Sequence, residues 1–202
     1  MIDKSLPLYS VLLYRTEIQN YPHHALPEGY SFAFYQKGDE IKWAELERSL
    51  GQFETVAEGV ECFEKEFLSD ERLHPEDRML FVKDAHGEIV ATCALWEGDH
   101  FGETKGRFHW LAVSDACAGK GIAKALFSRI FALALEMGYR DMLYLLTGTR
   151  YYPAIGMYLK MGFSFYRGER SPFRKLTNEQ FKERNEMAIA MIEERLRERK
   201  KD

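Results

Sequence analysis

The spacing of apolar positions changes along this chain, and each change of period marks an element. "SVLLYR" (10–15) and "YSFAFYQ" (30–36) are short runs rich in apolar and aromatic residues, parted by a loop holding Pro22 and Pro27, and read as strands. "GDEIKWAELERSL" (38–50) then places Ile41, Leu46 and Leu50 at helical spacing. After Gly51 a second helical run carries Val56, Val60, Phe63 and Phe67. "RMLFVKD", the turn "AHGE" and "IVATCALWEG" (78–98) predict a β-hairpin with Gly87 in its loop, and "GRFHWLAVSD" (106–115) predicts the next strand. A helix from about Lys120 to Met137 follows and stops at Gly138, a C′ glycine. "DMLYLLT" (141–147) is a buried strand, "YPAIGMYLKMG" (152–162) a short helix with Pro153 in its first turn, and "FSFY" (163–166) a last strand.

The order β-β-α-α-β-β-β-α-β-α-β specifies an α/β (α+β) fold, with a mixed, mostly antiparallel central sheet of six to seven strands flanked by helices. One crossover, from strand 107–113 through helix 120–137 to strand 141–147, is parallel. "TNEQ" (177–180) has the form of a capping box, so an extra C-terminal helix starts there and runs through "FKERNEMAIAMIEERLRER". Its Phe181, Ile189, Ile192 and Leu196 pack either on the body or on a second copy in a homodimer. The expected organisation is one domain over 1–176 and a helical extension over 177–202.

Composition narrows the class. With 202 residues, 46% hydrophobic and 14% aromatic, the chain can bury one sizeable core. A net charge of -4 gives no general basic field, so nonspecific nucleic-acid binding is not expected. Cys62, Cys93 and Cys117 are widely spaced in apolar surroundings and read as reduced core thiols, not as a disulfide framework or a zinc site. His23, His24 and His74 also lack metal-ligand spacing. "ALFSRIFALALEMG" is broken by Arg129 and Glu136, so no membrane span is expected, and no signal peptide opens the chain. The expectation is a cytoplasmic protein without metal.

The chemistry concentrates at "AGKGIA" (118–123), where a strand hands over to a helix. Such a turn points backbone N–H groups and the positive end of a helix dipole at one place, which suits a phosphate. A dinucleotide fingerprint fails because Lys124 stands where a third glycine is required. A P-loop fails because no Gly-Lys-Ser/Thr follows. What remains is Gly-x-Gly-x-Ala after "LAVSD", a run of consecutive amides for a pyrophosphate.

"LAVSDACAGKGIAKALF" resembles the acetyl-CoA signature of the GCN5-related N-acetyltransferase (GNAT) superfamily. Gly121 and Ala123 match its last two positions and Gly119 a glycine common within it, while Ala118 stands where Arg or Gln is usual. "LLTGTRYYPAIGMYLKMGF" is similar to a later family motif, with Tyr151 where many members have Asn. The resemblance covers roughly residues 79–166.

It implies acetyl-CoA as co-substrate, held by the turn Ala118, Gly119, Lys120, Gly121, Ile122, Ala123 and Lys124, and along the strand by the backbone of Leu111, Ala112 and Val113. It implies direct attack by an amine within a ternary complex, with His109 as proton acceptor and Tyr158 as proton donor to the thiolate. Strand alternation alone puts His109 on one face with Leu111 and Val113, where a ring packed among Phe108 and Trp110 is the other reading. The acceptor site is implied between about Trp43 to Glu54 and "YRGERSPFR" (166–174), with Phe53, Glu54 and Glu169 as candidates to seat a small-molecule amine. The competing class is a catalytically degenerate acyl-CoA-binding regulatory or interaction module.

Overall fold

A computed structural model describes residues 2–70 and 72–199. Its elements are β1 (Ser10–Arg15), β2 (Ser31–Phe34), α1 (Asp39–Ser49), α2 (Val56–Phe63), α3 (Pro75–Arg78), β3 (Met79–Lys83), β4 (Ile89–Gly98), β5 (Lys105–Val113), α4 (Ile122–Glu136), β6 (Leu143–Gly148), α5 (Tyr152–Lys160), β7 (Ser164–Phe165) and α6 (Asn178–Glu198). Among the described residues a mixed, seven-stranded sheet runs in the order β2-β3-β4-β5-β6-β1-β7. The expected mixed sheet flanked by helices, with a C-terminal helix, is therefore observed. α3 is the element that the pattern did not foretell; four residues are too few to show a period, although Pro75 at its start is a helix-opening residue.

Two compact units divide the chain, each assembled from separate stretches. One comprises Pro22–Trp96 and Phe108–Arg140, and is called here the α4 unit. The other, the α6 unit, comprises Met1–Tyr21, Glu97–Arg107 and Asp141–Asp202. β4 and β5 each pass from one unit into the other.

In the α4 unit, β2, β3 and β4 form an antiparallel meander, with Phe34 opposite Leu80 and Phe81 opposite Thr92. Trp43 of α1 and Phe63 of α2 are fully buried against the sheet residue Phe81. α1 buries Trp43, Ala44, Leu46 and Glu47, whereas Ile41 is 51% exposed. Leu46 is buried and Leu50 packs against the same cluster, as the spacing predicts, but the large indole of Trp43, with Ala44, takes the core position expected of Ile41. α2 opens on a capping box, Thr55 with Glu58, and is continued by a π-helical turn over Glu64–Leu68. On the other side Phe108 of β5 stacks on Phe127 of α4 at 4.4 Å between ring centroids.

In the α6 unit, β1 pairs antiparallel with both β6 and β7, so that Leu13 faces Leu145 on one side and Phe165 on the other. The foreseen capping box at Thr177 is present: its hydroxyl accepts from the Gln180 N–H at 3.2 Å and Gln180 reaches back to the Thr177 N–H at 3.1 Å. Phe181, Ile189 and Ile192 of α6 are buried within this unit, where the helix packs on β1 and α5. No helix among the described residues is long and apolar enough to cross a membrane.

Candidate active site

β5 ends at Val113, and a 3-10 turn, Asp115–Cys117, leads into the glycine stretch. Gly119 and Gly121 have φ of +77° and +86°, the left-handed region that glycine enters at no steric cost. Gly121 is the N-cap of α4, and no side chain caps the helix. Among the described residues the first-turn amides therefore have no capping side chain, and the dipole of a 15-residue helix points out at the same place. Ala118, Gly119, Lys120, Gly121 and Lys124 are exposed, Ala123 is half-buried, and Ile122 anchors the turn at 1% exposure. Lys120 donates to the Tyr30 hydroxyl at 3.2 Å and lies over that ring. The Tyr30 bond raises the Lys120 pKa. Cys117 is buried, its sulfur 3.6 Å from the same hydroxyl.

Upstream in β5 the backbone departs from an ordinary strand. Trp110 has φ of +49°, a left-handed conformation that an indole-bearing residue rarely takes. This interrupts the alternation that would have grouped His109 with Leu111 and Val113. His109 and Trp110 instead both reach the aromatic cluster under α1 and α2: His109 is 5.6 Å from Phe67, and Trp110 is 5.0 Å from Trp43. Two successive side chains on one side are what a bulged strand produces. His109 Nε2 lies 2.9 Å from Glu66 Oε2, with side-chain exposures of 16% and 39%. Leu111 and Val113 are half-buried and Ala112 is buried.

The sequence pattern of the acetyltransferase (GNAT) family matches residues 42–163, more than half of the chain. The chain belongs to the GNAT acetyltransferase family. A GCN5-related N-acetyltransferase from Sphaerobacter thermophilus shares its fold with a TM-score of 0.62 and 23% identity, over 78% of this chain and 48% of that one. The tandem GNAT protein of the clavulanic acid biosynthesis pathway gives 0.57 and 14%, over 82% and 52%. Glucosamine-6-phosphate N-acetyltransferase from Arabidopsis thaliana gives 0.51 and 18%, over 73% of this chain and all of its own. The chain spans about half the length of the first two, and at these identities the likeness is one of fold. No curated protein matches it significantly.

Within this GNAT chain the α4 unit holds the glycine turn, the end of β5 and His109 together, whereas Tyr158 belongs to the α6 unit, on the buried face of α5. The two stretches that the family resemblance pointed to for the acceptor also fall in different units. Phe53 stacks on Trp110 at 5.9 Å in the α4 unit, and Glu54 beside it is exposed. In the α6 unit Glu169 lines an open cavity of about 900 Å³ with His100, Arg170, Phe173 and Arg174 among its walls. There His100 bonds Tyr144 at 2.9 Å, and burial lowers the imidazole pKa.

Three residues of the α4 unit escaped the pattern. Glu47 sits on α1 and Glu66 in the π-helical turn after α2, where an acid in a charged run reads as solvated, and nothing local in the sequence marks a left-handed Trp110. Glu47 is 2% exposed, its Oε1 has no hydrogen-bond partner among the described residues, and burial pushes its carboxyl up to about 8. The Cys62 thiol of α2 is raised by its own burial and then by the charges of Glu66 and Glu47, which places these three groups near one another.

Proposed function

We propose that this chain is an acetyl-CoA-dependent N-acetyltransferase that acylates a primary amine of a small molecule by direct attack. The observation that carries the reading is the exposed glycine turn between the end of β5 and an uncapped α4, inside the segment that the family pattern covers. The residues present fit a pyrophosphate: a Cβ placed on Gly119 or Gly121 meets nothing within 4 Å, so the backbone stands open to a ligand. Ala118 offers a backbone amide but no charged side chain.

When bound, acetyl-CoA supplies the thioester whose acetyl group is transferred. The turn from Ala118 to Lys124 binds the phosphates through consecutive amides, with Lys120 and Lys124 adding charge. The backbone of Leu111, Ala112 and Val113 would hold the extended arm through N–H and C=O groups, and their N–H groups would be the donors available to polarise a thioester carbonyl. His109 takes the proton of the attacking amine, and Tyr158 returns one to the departing sulfur. Solved structures on this fold include a glucosamine N-acetyltransferase region and a glucosamine-6-phosphate N-acetyltransferase, which supports an amine as the acceptor class.

Release of free thiol from acetyl-CoA, followed across a panel of amines, tests the proposal. His109→Ala and Tyr158→Phe are each expected to lower turnover about 100-fold while CoA binding persists. Turnover indifferent to both substitutions would remove these roles. Tight CoA binding without turnover of any amine would leave a coenzyme-binding module in place of an enzyme.

A further inference from the structure

The proton-accepting imidazole has a carboxylate beside it that comes from a distant part of the chain. Glu66 lies 43 residues before His109 and meets its Nε2 at 2.9 Å. The contact depends on the π-helical turn after α2, which holds five residues, Glu64–Leu68. Across that turn Phe67 stays fully buried, with its ring 4.8 Å from Phe63 and 5.6 Å from His109, while its neighbour Glu66 bonds the imidazole. π-turns of this kind gather at functional sites. The second deviation is in β5, where Trp110 is held at φ +49° directly after His109. A left-handed conformation at such a residue is strained and persists only where the surrounding structure holds it. Two irregular backbone segments thus converge on one imidazole.

We propose that Glu66 is a positioning residue for His109, holding the ring in the Nε2–H tautomer so that Nδ1 carries the lone pair which accepts the amine proton. The proposal rests on the acetyl-transfer reading above. A carboxylate accepts but does not donate, so the neutral ring facing it carries its proton on Nε2 and its lone pair on Nδ1. In the step that follows, the amine proton moves to Nδ1 and the nitrogen pair forms the C–N bond. The C–S pair leaves with sulfur, and the imidazolium is left with Nε2–H directed at Glu66. With 39% of the Glu66 side chain exposed, solvent screens the pair and it adds little to stability, so its removal is expected to leave the fold intact.

Long-range proton–nitrogen correlation spectra of the histidine-labelled, coenzyme-free protein read the tautomer without reference to activity. Wild type is expected to show His109 as Nε2–H. Glu66→Ala is expected to lose this preference and to lower kcat 10- to 100-fold with KM for acetyl-CoA unchanged. In Glu66→Gln the amide carbonyl still accepts from Nε2–H, so this variant is expected to keep the tautomer and recover most of kcat. An unchanged tautomer in Glu66→Ala, or a changed tautomer with unchanged kcat, would overturn the proposal. Absence of turnover in wild type with every amine would instead overturn the acetyl-transfer reading, and the spectra would still decide whether Glu66 sets the ring.

Discussion

Glu47 holds its proton up to about pH 8 because α1 buries its carboxyl to 2% exposure beside Trp43 and leaves Oε1 without a partner among the described residues. Its ordinary value is 4.5, so between pH 4.5 and 8 the folded chain binds a proton that the unfolded chain has released. Stability therefore falls as pH rises through this window. A shift of that size amounts to about 5 kcal/mol at the alkaline end. Glu47→Gln keeps the shape and removes the titration. At pH 5 the variant and wild type are expected to unfold at nearly the same urea concentration. At pH 9 the variant is expected to be more stable by several kcal/mol. Parallel stability curves for the two proteins would show that burial at Glu47 does not set the proton.

Among the elements, β1 carries a load that its length hides. Arg15, at its end, is 8% exposed and donates to the carbonyls of Glu17, Asn20 and Met161, the last being the C-cap of α5. Arg15→Met strips donors from these acceptors and is expected to cost about 3 kcal/mol in urea unfolding. Arg15→Lys, with a single ammonium, is expected to recover less than half of that. A loss under 1 kcal/mol for Arg15→Met would mean that water replaces the guanidinium at no net cost. The span of β1 was legible in the sequence, residues 10–15 in both readings, because a strand's existence is a local property of "SVLLYR". Its partners were not, since pairing Leu13 with Leu145 and Phe165 joins positions far apart in sequence. The same division holds for α4, whose Gly138 stop has φ of +89° and appears where expected. For α1 the spacing found Leu46 and Leu50 but took Ile41 for the core in place of Trp43, which tertiary packing selects.

At the scale of the molecule the glycine turn was readable as a turn because everything it needs, a strand end, two glycines and a helix start, lies within a dozen residues. The His109 contacts were not, since Glu66 and Phe67 reach this strand residue from the distant π-helical turn after α2, which no periodicity announces. The turn also offers a measurement on the whole protein. A ligand that binds only the folded chain stabilises it by mass action, about 2.7 kcal/mol at a hundred times Kd. Free CoA is therefore expected to raise the melting temperature. Gly121→Val puts a branched side chain at φ +86° and covers the approach to the first-turn amides. The variant pays a strain cost of its own, which must be separated from lost binding. Gly138, at the other end of α4, has φ of +89° and likewise nothing within 4 Å of a built Cβ, so Gly138→Val suffers comparable strain away from the turn. Both variants are expected to melt earlier than wild type. Gly138→Val is expected to keep the full rise with CoA, and Gly121→Val to lose it. An equal rise in both would mean that the coenzyme is held elsewhere, whereas no rise in wild type would detach the glycine turn from CoA altogether.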